Sequence, residues 1–264
     1  MNIFLRELKA NLKSLIIWCV VIGLFILVGV AKFSAYYNNP EMLSILNSLP
    51  ASVVDAMSLR AFNLTTLNGF YGIMFIYFAL LGGIAATMWG SDIISKEERD
   101  KTVEFSLVLP VTRTRVLTAK ALAALVNCIV LMLVSAVVSI GVAQRYNPDQ
   151  SFYNFLVLEM GAMMIIELIF LAVGLLLGSS MKQYKRASSL GIAIILVTYF
   201  LSIITVLKQN LDFLKYFTPF KYFDSAQLFK DGRIEPGYLL LSLGIIVVCI
   251  FLAYRTYERR DLYI

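Results

Sequence analysis

Residues 154–179 read NFLVLEMGAMMIIELIFLAVGLLLGS, with two acidic residues, Glu159 and Glu167, and no basic one. A run of this length crosses the roughly 30 Å hydrocarbon core of a bilayer as a helix. It lacks the strict alternation of a barrel strand, and at that depth only helices and closed barrels satisfy their own backbone groups. Five further apolar runs meet the same test, at about 15–33, 68–89, 116–142, 188–207 and 238–254. The expectation is an all-α polytopic membrane protein with six transmembrane helices, a single membrane domain over 1–264.

Composition agrees. Of 264 residues, 59% are hydrophobic and only 15% charged, too little polar surface for a water-soluble fold of this size. There is no histidine. Zinc sites of the HExxH kind, Ser-His and Cys-His nucleophile pairs and histidine metal cages therefore cannot be built. No Gly-Lys dipeptide occurs, so no Walker A loop cradles a nucleotide. Cys19, Cys128 and Cys249 are widely spaced in apolar runs and read as small apolar fillers. The chain is expected to have no catalytic residue, to hold no metal or cofactor, and to depend on another subunit for any use of ATP and Mg.

Lys and Arg counts set the orientation. With the N-terminus in the cytoplasm, fifteen of the 23 basic residues face inward, among them Arg6, Lys96, Arg113, Lys120, Arg186 and Arg259. Both termini are then cytoplasmic. The net charge of +6 lies on that face, where anionic lipid accounts for it without nucleic acid. Trp18 and Trp89 are expected at the inner interface, and Tyr36, Tyr37, Tyr146 and Tyr153 at the outer one.

Outside the spans lie an amphipathic stretch at 1–14, suited to the interface, and two outer segments, 34–67 and 208–237. The second carries Phe213, Tyr216, Phe217, Phe220, Tyr222, Phe223 and Phe229 interleaved with lysines. Between the second and third spans, residues 91–115 hold a charged middle flanked by Ile93–Ile94 and by Val103, Phe105, Leu107 and Val108. Such a segment suits a short helix, either lying flat beneath the membrane to meet another protein or simply a solvated loop helix, with Pro110 ending it and Thr112 capping the next span.

Three polar groups stand at membrane depth. Glu159 and Glu167 are eight residues apart, about 12 Å along a helix and about 80° around it. Glu167 lies near the centre of its span, where a charge costs about 2.5–3.5 kcal/mol on the insertion scale. It either lines a translocation path or is a protonated acid bonded between helices. Glu159 lies nearer the outer boundary, where it either faces the path or snorkels to the headgroups. Asn127 has the same two readings, interhelical bond or pathway contact. Gly174 and Gly178, four apart, suit close helix packing within the chain.

The loop resembles that of a known family. Glu97-Glu98, Thr102-Val103-Glu104, Leu107, Leu109-Pro110-Val111, Thr112-Arg113-Thr114-Arg115 and Lys120 are similar to the loop between the second and third spans of ABC type-2 exporter permeases. Where that family usually has Gly before the Thr, this chain has Lys101. The stretch 1–14 resembles the family's elbow helix. Thr218-Pro219-Phe220-Lys221-Tyr222-Phe223 and Tyr257-Glu258-Arg259-Arg260-Asp261-Leu262 resemble its segment before the last span and its C-terminal ending. The likeness therefore extends over nearly the whole chain.

The resemblance implies a type V-like permease subunit of an ATP-driven exporter in a bacterial plasma membrane. It implies a pair of six-span chains, identical or related, above two ABC ATPase subunits. The 91–115 loop would act as the coupling helix, with Glu97, Glu98, Glu104, Phe105, Pro110 and Arg113 as coupling residues. It also implies an interfacial or re-entrant element over 208–237 at the outer end of the path. The alternative is a stand-alone ion- or proton-coupled carrier using Glu167, to which the single central carboxylate and the lack of an inverted repeat are poorly suited. An intramembrane enzyme lacks its parts, since no aspartate lies in a span.

Overall fold

The computed structural model describes residues 3–37, 39, 48, 50, 62–99, 111–181, 184–207 and 209–259, with the backbone alone at 95–99, 184–185, 209–210 and 212. Every regular element among the described residues is helical. Each of the six apolar runs lies within one long helix: α1 Ile3–Ala31, α2 Leu67–Arg99, α3 Arg113–Ala143, α4 Gln150–Ser180, α5 Tyr184–Leu207 and α8 Pro236–Arg259. Between α5 and α8 come a 3₁₀ turn, Gln209–Phe217, and two short helices, α6 Pro219–Tyr222 and α7 Ser225–Asp231. All six long helices are long and apolar enough to cross a membrane.

Local chemistry explains the ends. The Thr112 side chain accepts from the Arg115 amide and starts α3, as its place after Pro110 suggests. Asp149 caps α4 through the Phe152 amide at 2.9 Å, after a turn in which Asn147 takes the left-handed conformation. Asp224 caps α7, and Gly232 closes it at φ 61°.

Two elements differ from expectation. The stretch 1–14 forms no separate elbow among the described residues, because α1 runs unbroken from Ile3 to Ala31. Neither proline nor glycine interrupts it before Gly23, and the Asn11 side chain donates within the helix to the Glu7 carbonyl. Ile93 and Ile94 do not open a new helix either. They are buried on α2, which continues past the span to Arg99. The rest of the expected flat helix, 100–110, lies outside the described residues.

Helices α2 and α4 form the centre of the bundle. A Cβ on Gly174 would lie 2.4 Å from the Thr87 carbonyl oxygen, and one on Gly178 would lie 2.7 Å from that of Ser91. The small residues therefore bring two backbones together within one chain. Around this pair, α1 packs on α3, α5 on α2, and α8 on α4. The surrounding helices turn apolar faces outward, such as Ile16, Val20 and Leu24 on α1 and Leu240, Val247 and Phe251 on α8. In water such faces would aggregate; in a bilayer they are the lipid contact.

The two ends of the bundle have different chemistry. At one end, the start of α1, the start of α3 and the end of α8 come together. Trp89 is buried there, and its indole N–H donates to Ser14 Oγ at 3.0 Å, beside the start of the first apolar run. At the other end, the rings of Phe33, Tyr37, Phe70 and Tyr146 form a cluster with centroids 4.8–5.5 Å apart.

Candidate functional site

Within the bundle, polar side chains sit at successive depths along α4. Nearest the aromatic end, Glu159 is fully buried, and its Oε1 accepts from Ser225 Oγ of α7 at 2.8 Å. It does not snorkel, because α7 folds over it. On the neighbouring helices the Tyr71 hydroxyl pairs with Ser139 Oγ at 2.6 Å, joining α2 to α3.

Two turns deeper, Glu167 is also fully buried, and neither carboxyl oxygen has a hydrogen-bond partner. A Cβ on Gly82 would fall 2.6 Å from Glu167 Oε1, so the carboxyl occupies the space that glycine leaves on α2. Asn127, on the buried side of α3, leaves both its amide oxygen and nitrogen without a partner. Dry, unsatisfied groups of this kind are costly.

Past Glu167, the polar contacts tie helices together. Ser188 of α5 donates to Asp92 Oδ1 at 2.6 Å and shares a hydrogen bond with Ser91 at 2.8 Å. Ser179 of α4 pairs with Thr256 of α8 at 2.9 Å. Arg113 Nη1 donates to the Tyr257 and Glu258 carbonyls at 3.4 and 3.3 Å, placing a cation on the C-terminal end of α8. Thr114 donates to Glu258 at 2.9 Å, and Thr118 pairs with Tyr254 at 2.7 Å. The start of α3 and the end of α8 are thus one unit.

Arg113 is accordingly joined to the chain's own last helix. Glu97 and Glu98 lie on the final turns of α2, of which only the backbone is described. Glu104, Phe105 and Pro110 lie outside the described residues.

Two cavities lie toward the aromatic end. One, of about 220 Å³, lies between α2, α5 and the short helices, with Ile73, Tyr77, Tyr199 and Ile203 in its walls. The other is an open cleft of about 700 Å³ lined by Lys215, Lys221, Lys230, Asp224, Gln227 and Tyr238, among others. Glu159, Glu167 and Asn127 do not line either one.

Sequence reasoning missed Ser225, whose partner is sixty-six positions away and which no local pattern marks. Glu7, within the stretch read as interfacial, and Lys120, counted among the inward-facing basic residues, are both buried. Glu7 pairs with Arg6 at 3.1 Å.

A family described as ABC-2 family transporter protein matches residues 1–262. The chain belongs to that family. It is therefore a multi-pass membrane protein and a transmembrane transporter component, in a family whose members work with an ABC ATPase. No curated protein matches the chain. In this ABC-2 chain the start of α3 is bonded to the end of α8 through Arg113, Thr114 and Thr118.

Proposed function

We propose that this chain is the permease subunit of an ATP-driven exporter in a bacterial plasma membrane, with both termini cytoplasmic. It pairs with a second permease chain, identical or related, and docks through the 91–115 segment onto a separate ABC ATPase that binds ATP and Mg. Family membership supports the ATPase partner, and the loop's resemblance to exporter permeases supports the direction. The observation that carries the coupling role is the bonding of Arg113 and Thr114 to the last turns of α8.

In this reading, ATP closes the ATPase pair and the loop moves with it. Because Arg113, Thr114 and Thr118 hold α8, a push on the loop moves α3 and α8 together as a rigid body. The α2–α4 pair, on which α8 packs and to which Thr256 is bonded through Ser179, follows that movement, with α5 linked through Asp92 and Ser188. Glu104 and Phe105 make the ATPase contact, and Glu97, Glu98 and Pro110 shape the loop. Glu167, Glu159 and Asn127 belong to the path that the movement opens.

Trp89 reports on this movement, since the chain has only two tryptophans and Trp89 bonds Ser14 at the loop end. In the purified complex carrying W18F, trapping ATP with vanadate is expected to shift Trp89 emission. With Glu104→Ala and Phe105→Ala added, the complex should assemble and hydrolyse ATP without the shift. A full shift in that variant would contradict the assignment.

A further inference from the structure

The smaller cavity and the wider cleft share two residues, Lys221 and Asp224, which form an ion pair at the border between them. On one side are mostly apolar and aromatic walls, with the hydroxyls of Tyr77, Tyr199 and Ser202. On the other side, the lining residues include three lysines and, among the described side chains, one acid, Asp224, whose charge is engaged with Lys221. Of the segment's other acids, Asp231 and Glu235 do not line the cleft, and the side chain of Asp212 lies outside the described residues. The cleft also offers the Gln227 amide and the ring of Tyr238, which stacks on Tyr222 at 5.2 Å and 8°. An apolar chamber opening onto a basic vestibule is amphipathic as a whole.

The geometry points to a binding site for an amphipathic anion, its apolar chain in the α2–α5 chamber and its phosphate- or sulfate-like head among Lys215, Lys221 and Lys230. Lysine serves such a head as a point charge that needs no fixed fork geometry. The chamber holds about seven waters' volume, enough for a short alkyl segment and too little for a bulky ring system. The Lys221–Asp224 pair stands where head and chain meet, so an incoming anion competes with Asp224 for Lys221. A cationic amphipath meets the opposite field, with Asp224 already engaged. The inference deepens the permease reading by naming a ligand class, and it rests on that reading only for the ligand's being cargo.

Binding is measured on the permease chain alone in nanodiscs of zwitterionic phosphatidylcholine, so an absent ATPase does not affect the result. The probe is a dodecyl phosphate carrying a photoreactive diazirine in its chain, with labelled peptides mapped by mass spectrometry. Labelling is expected at residues 72–79 and 199–206, displaced by unlabelled dodecyl phosphate. Dodecyltrimethylammonium and inorganic phosphate should compete at least roughly tenfold more weakly. K215Q/K230Q, both changes outside the helix bundle, should weaken labelling by about the same factor, and Ile203→Trp should abolish it by filling the chamber. Adding phosphatidylglycerol distinguishes the sources of the ligand. Loss of labelling assigns the site to anionic bilayer lipid, and persistence assigns it to a free amphipath. Equal competition by the cation, or labelling scattered over the lipid faces of α1 and α8, would overturn the inference.

Discussion

Glu159 and Glu167 lie eight residues apart on one helix, both wholly buried, yet they are held in opposite ways. Glu159 has a hydrogen-bond donor from a distant element, Ser225 on α7. Glu167 has none, and a glycine on the neighbouring helix makes room for it. Glu159 fastens the short helices onto the bundle. Glu167 fastens nothing in this state, and its cost is carried by the packing around it. Burial alone therefore does not reveal whether a membrane carboxylate is structural; its partners do.

Four substitutions sharpen or break this comparison, each read as a change in thermal unfolding in one detergent, with a thiol dye reporting release of buried Cys128. The largest effect is expected from Gly174→Ala, whose new methyl meets the Thr87 backbone, which cannot turn aside as a side chain does. A loss of about 3 kcal/mol is expected, and a change under about 1 kcal/mol would mean that α2 and α4 are not in such contact. Glu159→Leu comes next. It strands the Ser225 hydroxyl and loosens α7, at about 1–2 kcal/mol, and proteolysis should then cut 223–235 first. Ser225→Ala removes the same bond from the other side at about 1 kcal/mol, and less than additive loss in the double variant would confirm a shared contact. Glu167→Leu is expected to be neutral or stabilising, because it removes an unsatisfied group without orphaning another. A loss as large as that of Glu159→Leu would end the distinction between the two.

The same contrast explains what the sequence made legible. Six spans follow from apolar length alone, and Thr112 from its position after Pro110. The Gly174–Gly178 spacing is local, so its role in close packing was readable before any fold was known. Glu159 was not readable, because its cover is a short helix returning from beyond the fifth span. Near a span boundary, snorkelling is the natural expectation for an acid, and only tertiary structure replaces it. The bond of Trp89 to Ser14 was likewise not readable, since interface statistics do not name a partner seventy-five positions away. The start of α1 was read as a separate element from its charge pattern, while helix continuity depends on breakers, which it lacks.

The aromatic segment lies between these cases. Its composition marks it as interfacial but does not say which rings turn inward. Phe220, Tyr222 and Phe223 are buried, whereas Phe213, Tyr216 and Phe217 remain exposed. The rings turn inward after Thr218, whose hydroxyl donates to the Thr198 carbonyl of α5 at 2.7 Å and pins the chain there, and outward again at Phe229.

The central claim is that this ABC-2 chain is one subunit of an ATP-driven machine, gripped through 91–115. Its most direct test is gentle-detergent purification of the tagged chain, with mass spectrometry of what copurifies. The account predicts a soluble chain bearing a Walker A loop in equal number, lost when residues 97–113 are substituted while the permease itself stays folded. Recovery of the permease without any ATPase, at every detergent concentration tried, would contradict it.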